Sequence, residues 1–201
     1  MYRRAPGLAI VGHPRNGGFH CSSTRQGFAG TRLECHKGLP MSLTIVQPRI
    51  EQLAERRDLL PTVAAWIYNE WWTAVDGANV GKLTDLLRAH LIQDQMPLTL
   101  VASLERCPVG TATLLAHDVD TEQWPELSPW LAAVYVVPEY RQRGIGAALV
   151  NAIVAQATVL GVGALYLSTV GREEFYARLG WQVVDRREDK IVMSKPRGWT
   201  P

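Results

Sequence analysis

The sequence predicts a mixed α/β domain, one sheet with helices on both faces. Three observations predict it. Strand and helix patterns follow one another as β-α-α-β-β-β-α-β-α-β-β, which is not the alternation of a doubly wound fold. Leu131 to Val137 is an unbroken apolar run, as expected of a strand buried on both faces. Val134 to Val150, VYVVPEYRQRGIGAALV, then reads as strand, basic glycine-containing turn and helix. Such a junction aims unpaired backbone N–H groups and the positive end of a helix dipole at one spot, which suits a phosphate.

The elements follow in order. Leu43 to Val46 reads as a short strand. Asp58 and Pro61 open a helix carrying Val63, Trp66, Ile67, Glu70 and Trp71 at spacings of three and four. Asn79 precedes a second helix bearing Leu83, Leu86, Leu87 and Leu91, ended by Pro97. Leu98 to Leu104 and Val109 to Ala116 read as consecutive strands around the turn Glu105 to Pro108. A polar loop, Asp118 to Pro129, leads into the apolar strand. The helix from Gly144 to about Leu160 stops at Gly161, a favourable C-terminal position. Ala164 to Ser168 is a strand, and Glu173 to Leu179 a short helix stopped by Gly180. Trp181 to Arg186 and Lys190 to Ser194 close the chain as a hairpin.

Of the 201 residues, 1–40 differ from the rest. They are rich in Gly, Arg, His and Ser without sustained periodicity, and read as a weakly ordered extension, with Met41 as the natural start of the patterned part, 41–201. They carry six Lys or Arg against Glu34 alone, while the remainder holds 15 basic and 18 acidic residues. The patterned part is therefore mildly acidic, which argues against a nucleic-acid partner. No apolar run approaches the roughly 20 residues that span a bilayer, so no membrane partner is expected. Cys21, Cys35 and Cys107 show no framework spacing, which favours a reducing compartment and the cytoplasm. His20, Cys21, Cys35 and His36 lack the spacing of a zinc site, and no metal is expected.

The glycine turn narrows the chemistry. A dinucleotide fingerprint needs a third glycine where Leu149 stands, and a Walker loop needs Gly-Lys-Ser/Thr, which is absent. Arg141-x-x-Gly144-x-Gly146 remains. Its glycines remove side chains where a phosphate would approach the backbone, and Arg141 and Arg143 add charge.

This strand and RQRGIGAALV resemble the acetyl-coenzyme-A signature of the GCN5-related N-acetyltransferase (GNAT) family. A second block, ALYLST followed by GREEFYARLGW, resembles the family's strand and helix ending in Phe175, Tyr176, Gly180 and Trp181. Together the blocks carry the resemblance across about residues 41–195. It implies a mostly antiparallel central sheet and acetyl-CoA as co-substrate. It implies that main-chain groups of Val134, Tyr135 and Val136 meet the pantetheine arm on a splayed strand. The amides of Gln142, Arg143, Gly144, Ile145, Gly146 and Ala147, beside Arg141, would hold the pyrophosphate. Tyr176 would protonate the departing thiolate, since a phenol of ordinary pKa about 10 can donate to it. Many members carry Asn where this chain has Thr169, whose hydroxyl replaces only part of that contact with the cofactor. Transfer would be direct, from thioester to amine, with the oxyanion on a backbone N–H.

The acceptor side is less marked. Leu131, Ala132 and Ala133 leave the early part of the central strand without a carboxylate base. Glu70, beside Trp71 and Trp72, is the candidate on the first helix, since a carboxylate next to indoles suits a cationic amine. His117 and Asp118 are the other candidates, and His117, at a strand end, reads better as a surface residue. The expected acceptor is a primary amine of a small molecule or a peptide N-terminus, and a homodimer is compatible with the sequence. The rival reading is a non-catalytic acyl-CoA-binding sensor on the same fold.

Overall fold

The computed structural model describes residues 47–118 and 123–196. The 1–40 extension and the strand expected at Leu43–Val46 lie outside the described residues; the first described strand, β1, is Arg49–Gln52. It is followed by helices α1 (Leu60–Ile67) and α2 (Val80–Leu87), then strands β2 (Leu98–Leu104), β3 (Cys107–Leu115) and β4 (Trp130–Val136). Helix α3 (Ile145–Val159), strand β5 (Ala164–Thr169), helix α4 (Glu173–Arg178) and strands β6 (Gln182–Arg187) and β7 (Lys190–Pro196) complete the order.

The seven strands form one sheet in the order β1-β2-β3-β4-β5-β7-β6. Every neighbouring pair is antiparallel except β4 and β5. The mixed sheet and its helices agree with the sequence reading. Local chemistry explains the elements. Pro61 sits in the first turn of α1, where its missing N–H costs nothing. The Asn79 side chain accepts from the Lys82 N–H at 2.9 Å and caps α2. Glu105 and Arg106 both take positive φ, as the two central residues of a tight β-hairpin require.

Two cores cover the two faces. On one face α3 buries Ile145, Leu149, Val150, Ile153 and Ala157 against β2, β3 and β4. Their spacings of three and four make one apolar stripe, each large side chain contributing about 1.5–3 kcal/mol by burial. On the other face α1 and α2 bury Val63, Ile67, Leu83 and Leu87 over Val101. Gly110 permits the close approach of β3 to β4, since a Cβ there would stand 2.7 Å from the Tyr135 carbonyl oxygen.

The expectation for β4 needs correction. Only Trp130 and Leu131 are buried; Ala132 to Val137 are half-buried. The cause is the sheet itself. β4 meets β5 at a single partner pair, Trp130 with Tyr166, and beyond it the two strands separate. The apolar run lines a gap rather than the middle of a continuous sheet. A second departure lies in β4, where the register with β3 shifts and Ala133 takes φ 49°. This is a β-bulge, which re-aims the following main-chain groups.

Candidate active site

The turn from β4 into α3 is built as the sequence suggested. Gln142 (φ 62°) and Gly144 (φ 80°) both take positive φ on either side of Arg143, a backbone shape that points successive N–H groups into one concavity. The first bond of the helix runs from the Ala148 N–H to the Gly144 carbonyl at 3.0 Å. Among the described residues, the N–H groups of Gln142, Arg143, Gly144, Ile145, Gly146 and Ala147 have no acceptor. Unsatisfied amides at a helix start are an anion site. The two glycines differ in kind. Gly144 is required by its backbone angle, with nothing within 4 Å of a Cβ added there. A Cβ on Gly146 would only touch Phe175 at 3.5 Å and Val136 at 3.7 Å, so packing does not demand glycine there.

The gap beside β4 leads to this turn. The Val137 N–H reaches the Val109 carbonyl on β3 at 2.9 Å. By strand alternation Val136 turns its own polar groups to the open side. Its carbonyl is already taken there by Nε of Arg141 at 2.9 Å. The side chains of Val134 and Val136 pack towards α3, while Tyr135 stands on the opposite face against Trp66 (centroids 5.5 Å apart) and Trp71 (6.5 Å). The concave row of amides, the open strand and the dry walls fit the pyrophosphate and pantetheine of coenzyme A.

Residues 97–183 match the acetyltransferase (GNAT) domain family. The chain carries a GNAT acetyltransferase domain. Solved structures agree on the fold. An aminoglycoside 6'-N-acetyltransferase complexed with coenzyme A is 15% identical, covering 76% of this chain and 99% of its own, with a TM-score of 0.59. An acetyltransferase of GNAT family from Staphylococcus aureus Mu50 is 16% identical over 75% of this chain and 99% of that one, TM-score 0.56. One from Streptococcus pneumoniae is 18% identical over 76% and 100%, TM-score 0.55. No curated protein matches the chain.

In this GNAT domain α4 carries Tyr176 into the core, 9% exposed, between Phe175 (centroids 4.9 Å apart) and Trp181 (6.1 Å). Burial pushes its phenol up to about 12, slightly offset by the Arg172 charge. Thr169 is buried at the end of β5 and makes no side-chain hydrogen bond among the described residues. Trp181 Nε1 is buried without a partner. An orphaned buried donor beside Tyr176 is what a domain holding a polar ligand against this wall would show.

Glu70 is not on an ordinary helical turn. α1 continues as a π-helical turn over Tyr68–Trp72, which carries Glu70, Trp71 and Trp72. The wider turn brings Glu70 Oε2 to 3.9 Å from Arg141 Nη2, with both side chains nearly half exposed (43% and 47%). Arg141 in turn lies over the Tyr135 ring, 5.8 Å from its centroid. Burial, then the Glu70 carboxylate, raises the Tyr135 phenol pKa. The structure thus brings Arg141 of the glycine turn and Glu70 of the π-helical turn together beside Tyr135. Sequence reasoning missed Trp66 and Tyr135 side chains as the wall between them. Their aromatic character was visible, and their shared face was not.

His117 is exposed, as expected of a surface residue. Cys107 is disulfide-bonded. Among the described residues no cluster of His, Cys, Asp or Glu could hold a metal, and no helix is long and apolar enough to cross a membrane. The four residues of the zinc-like pattern lie outside the described residues. A depression of about 520 Å³ lined by Arg49, Glu51, Arg56, Asp58, Ser103, Glu105 and Arg106 lies away from the turn. Its arginines Arg49 and Arg56 pair with Glu51 and Asp58, and the side chains that line it are all polar or charged.

Proposed function

We propose that this GNAT domain transfers an acetyl group from acetyl-CoA directly to a primary amine. One observation carries the reading. Six consecutive unpaired amides, Gln142 to Ala147, stand at the mouth of a gap opened by the parting of β4 from β5. Acetyl-CoA supplies an acyl group activated as a thioester. The chain's own contribution is position and charge. The turn fixes the phosphates, Arg143 and Arg141 add charge beside it, and the N–H groups re-aimed by the bulge at Ala133 polarise the acyl oxygen. Tyr176, its phenol pushed up to about 12 by burial, donates its proton to the departing sulfur, and the proton shed by the newly acylated nitrogen restores the phenol. A neutral amine nitrogen attacks from the side of Glu70 and the indoles. The acceptor is an amine-bearing small molecule or a peptide N-terminus.

The experiment is thiol release from acetyl-CoA with a panel of amines, read beside the thermal shift given by coenzyme A alone. Amine-dependent thiol release is the expected result. A melting temperature unmoved by millimolar coenzyme A would overturn the reading. One observation favours a second reading, a non-catalytic acyl-CoA sensor: β4 presents Leu131, Ala132 and Ala133 where a carboxylate base would stand. A thermal shift without thiol release from any amine would select it.

A further inference from the structure

Arg141 is committed twice. Its Nε holds the Val136 carbonyl at 2.9 Å, and its Nη2 faces Glu70 at 3.9 Å while the guanidinium covers Tyr135. Glu70 has no other ion pair among the described residues. Glu70 reaches Arg141, which lies over the Tyr135 ring, and that ring packs against Trp66 and Trp71; a carboxylate close to such ring faces suits a cation by charge and by cation–π contact. In the free protein the cation at that site is the chain's own. At 3.9 Å between half-exposed groups the pair is weak. The amides from Gln142 onward begin one residue from Arg141, so a bound pyrophosphate places concentrated negative charge there. Charge-assisted bonds to phosphate outweigh a loose surface ion pair.

We propose that Glu70 and the Trp66–Tyr135–Trp71 wall form a cation subsite for the acceptor, and that Arg141 fills it until coenzyme A draws the guanidinium to the turn. The proposal rests on the acetyltransferase reading above and adds the acceptor's chemical class. The attacking nitrogen must be neutral, so it cannot be the group that Glu70 holds. The acceptor therefore carries a second positive charge, as in a polyamine or a peptide with a basic residue beside its N-terminus. The coupling is reciprocal: coenzyme A tightens cation binding, and a cation tightens coenzyme A.

Calorimetric titration of the full chain with spermidine, with and without saturating coenzyme A, tests it. Coenzyme A should tighten spermidine binding by roughly 5- to 50-fold, within the range usual for coupled sites. Arg141→Gln keeps a donor for the Val136 carbonyl and removes the charge. This variant should bind spermidine without coenzyme A as tightly as the saturated wild type does. Glu70→Gln should bind it weakly in both states. Equal spermidine affinity with and without coenzyme A in the wild type overturns the proposal, as does weak binding by Arg141→Gln. The titration of coenzyme A alone separates the two failures. If coenzyme A binds and releases thiol to amines while spermidine affinity stays constant, the subsite falls and the acetyltransferase reading stands. If coenzyme A does not bind, both fall.

Discussion

Arg141 and Glu70, far apart in the chain, stand 3.9 Å apart, with the Arg141 guanidinium over the Tyr135 ring. One belongs to the glycine turn between β4 and α3 and the other to the π-helical turn that ends the first helix. The pair costs little to break. Both side chains are nearly half exposed, and exposed pairs contribute about 0–1 kcal/mol. Glu70→Gln should therefore leave the urea midpoint almost unmoved. It should raise KM for a dibasic amine about tenfold or more, from the roughly 1.5–3 kcal/mol of a hydrogen bond to a charged group. Unchanged KM for the dibasic amine would return Glu70 to the solvated surface.

Two glycines separate stability from binding. Gly110→Ala forces a Cβ to 2.7 Å from the Tyr135 carbonyl oxygen and 3.1 Å from the Leu149 side chain. The Tyr135 carbonyl is backbone and cannot give way cheaply, and overpacking of this kind costs about 1–3 kcal/mol. Gly144→Ala meets no atom within 4 Å but must hold φ 80°, at about 1–2 kcal/mol. Urea unfolding should rank Gly110→Ala as the more damaging. Calorimetry should rank Gly144→Ala as the worse binder of coenzyme A, because any relaxation of its angle turns the amides away. The reverse ranking in binding would remove the turn as the phosphate site.

The fold was largely legible because its signals are local. Leu98–Leu104 is mostly apolar and bounded by Pro97 and the Glu105 turn, and it is the strand β2. Asn79 is a capping residue in sequence and in space. Gly161 and Gly180 stop helices at φ 76° and 80°. The burial of β4 was misread for a physical reason: an apolar run reports contact with dry surface, and cannot say whether that surface is protein or a ligand gap. The bulge at Ala133 had no sequence signal, since alanine has no preference for positive φ and the neighbouring strand imposes it. The turn's amides were legible because they depend on a short strand-glycine-helix junction. The Arg141–Tyr135–Glu70 contact was not, because it depends on where the first helix lands on the sheet.

His90 gives the fold an acid limit. It is 9% exposed and its Nδ1 lies 2.8 Å from Thr99 Oγ1, which lies 3.0 Å from Thr113 Oγ1. Burial lowers its pKa from 6.5 to about 4. A depressed pKa means that the unfolded chain takes up the proton first. The neutral imidazole's contribution is complete above pH 6.5 and is lost as pH falls through about 4. The change is on the order of 3 kcal/mol. Urea midpoints at pH 7.0, 5.5 and 4.5 should fall steadily in the wild type. His90→Asn, which can still bond Thr99 and does not titrate, should show a flatter acid limb. Parallel limbs would mean that other groups set the acid limit.

Tyr176 makes the sharpest demand on the catalytic reading. Its phenol is held protonated by burial, with a pKa of about 12. The raised value means that the unfolded chain loses the proton first, so this group's contribution to stability is complete below pH 10 and declines towards about 12. At neutral pH the proton is therefore always present, and any alkaline limb of kcat below pH 10 must come from the amine or another group. Tyr176→Phe keeps the ring against Phe175 and Trp181 and removes only the hydroxyl, which forms no hydrogen bond among the described residues. Stability should change by less than about 1 kcal/mol. Turnover should fall by roughly 10²–10⁴, the usual worth of a placed general acid, while affinity for coenzyme A stays within a few-fold. An acyl donor whose leaving thiol has a low pKa needs no proton from the enzyme, so it should restore much of the lost rate. Loss of rate without this rescue would make Tyr176 a packing residue of α4, and the proton would have to reach the sulfur from water.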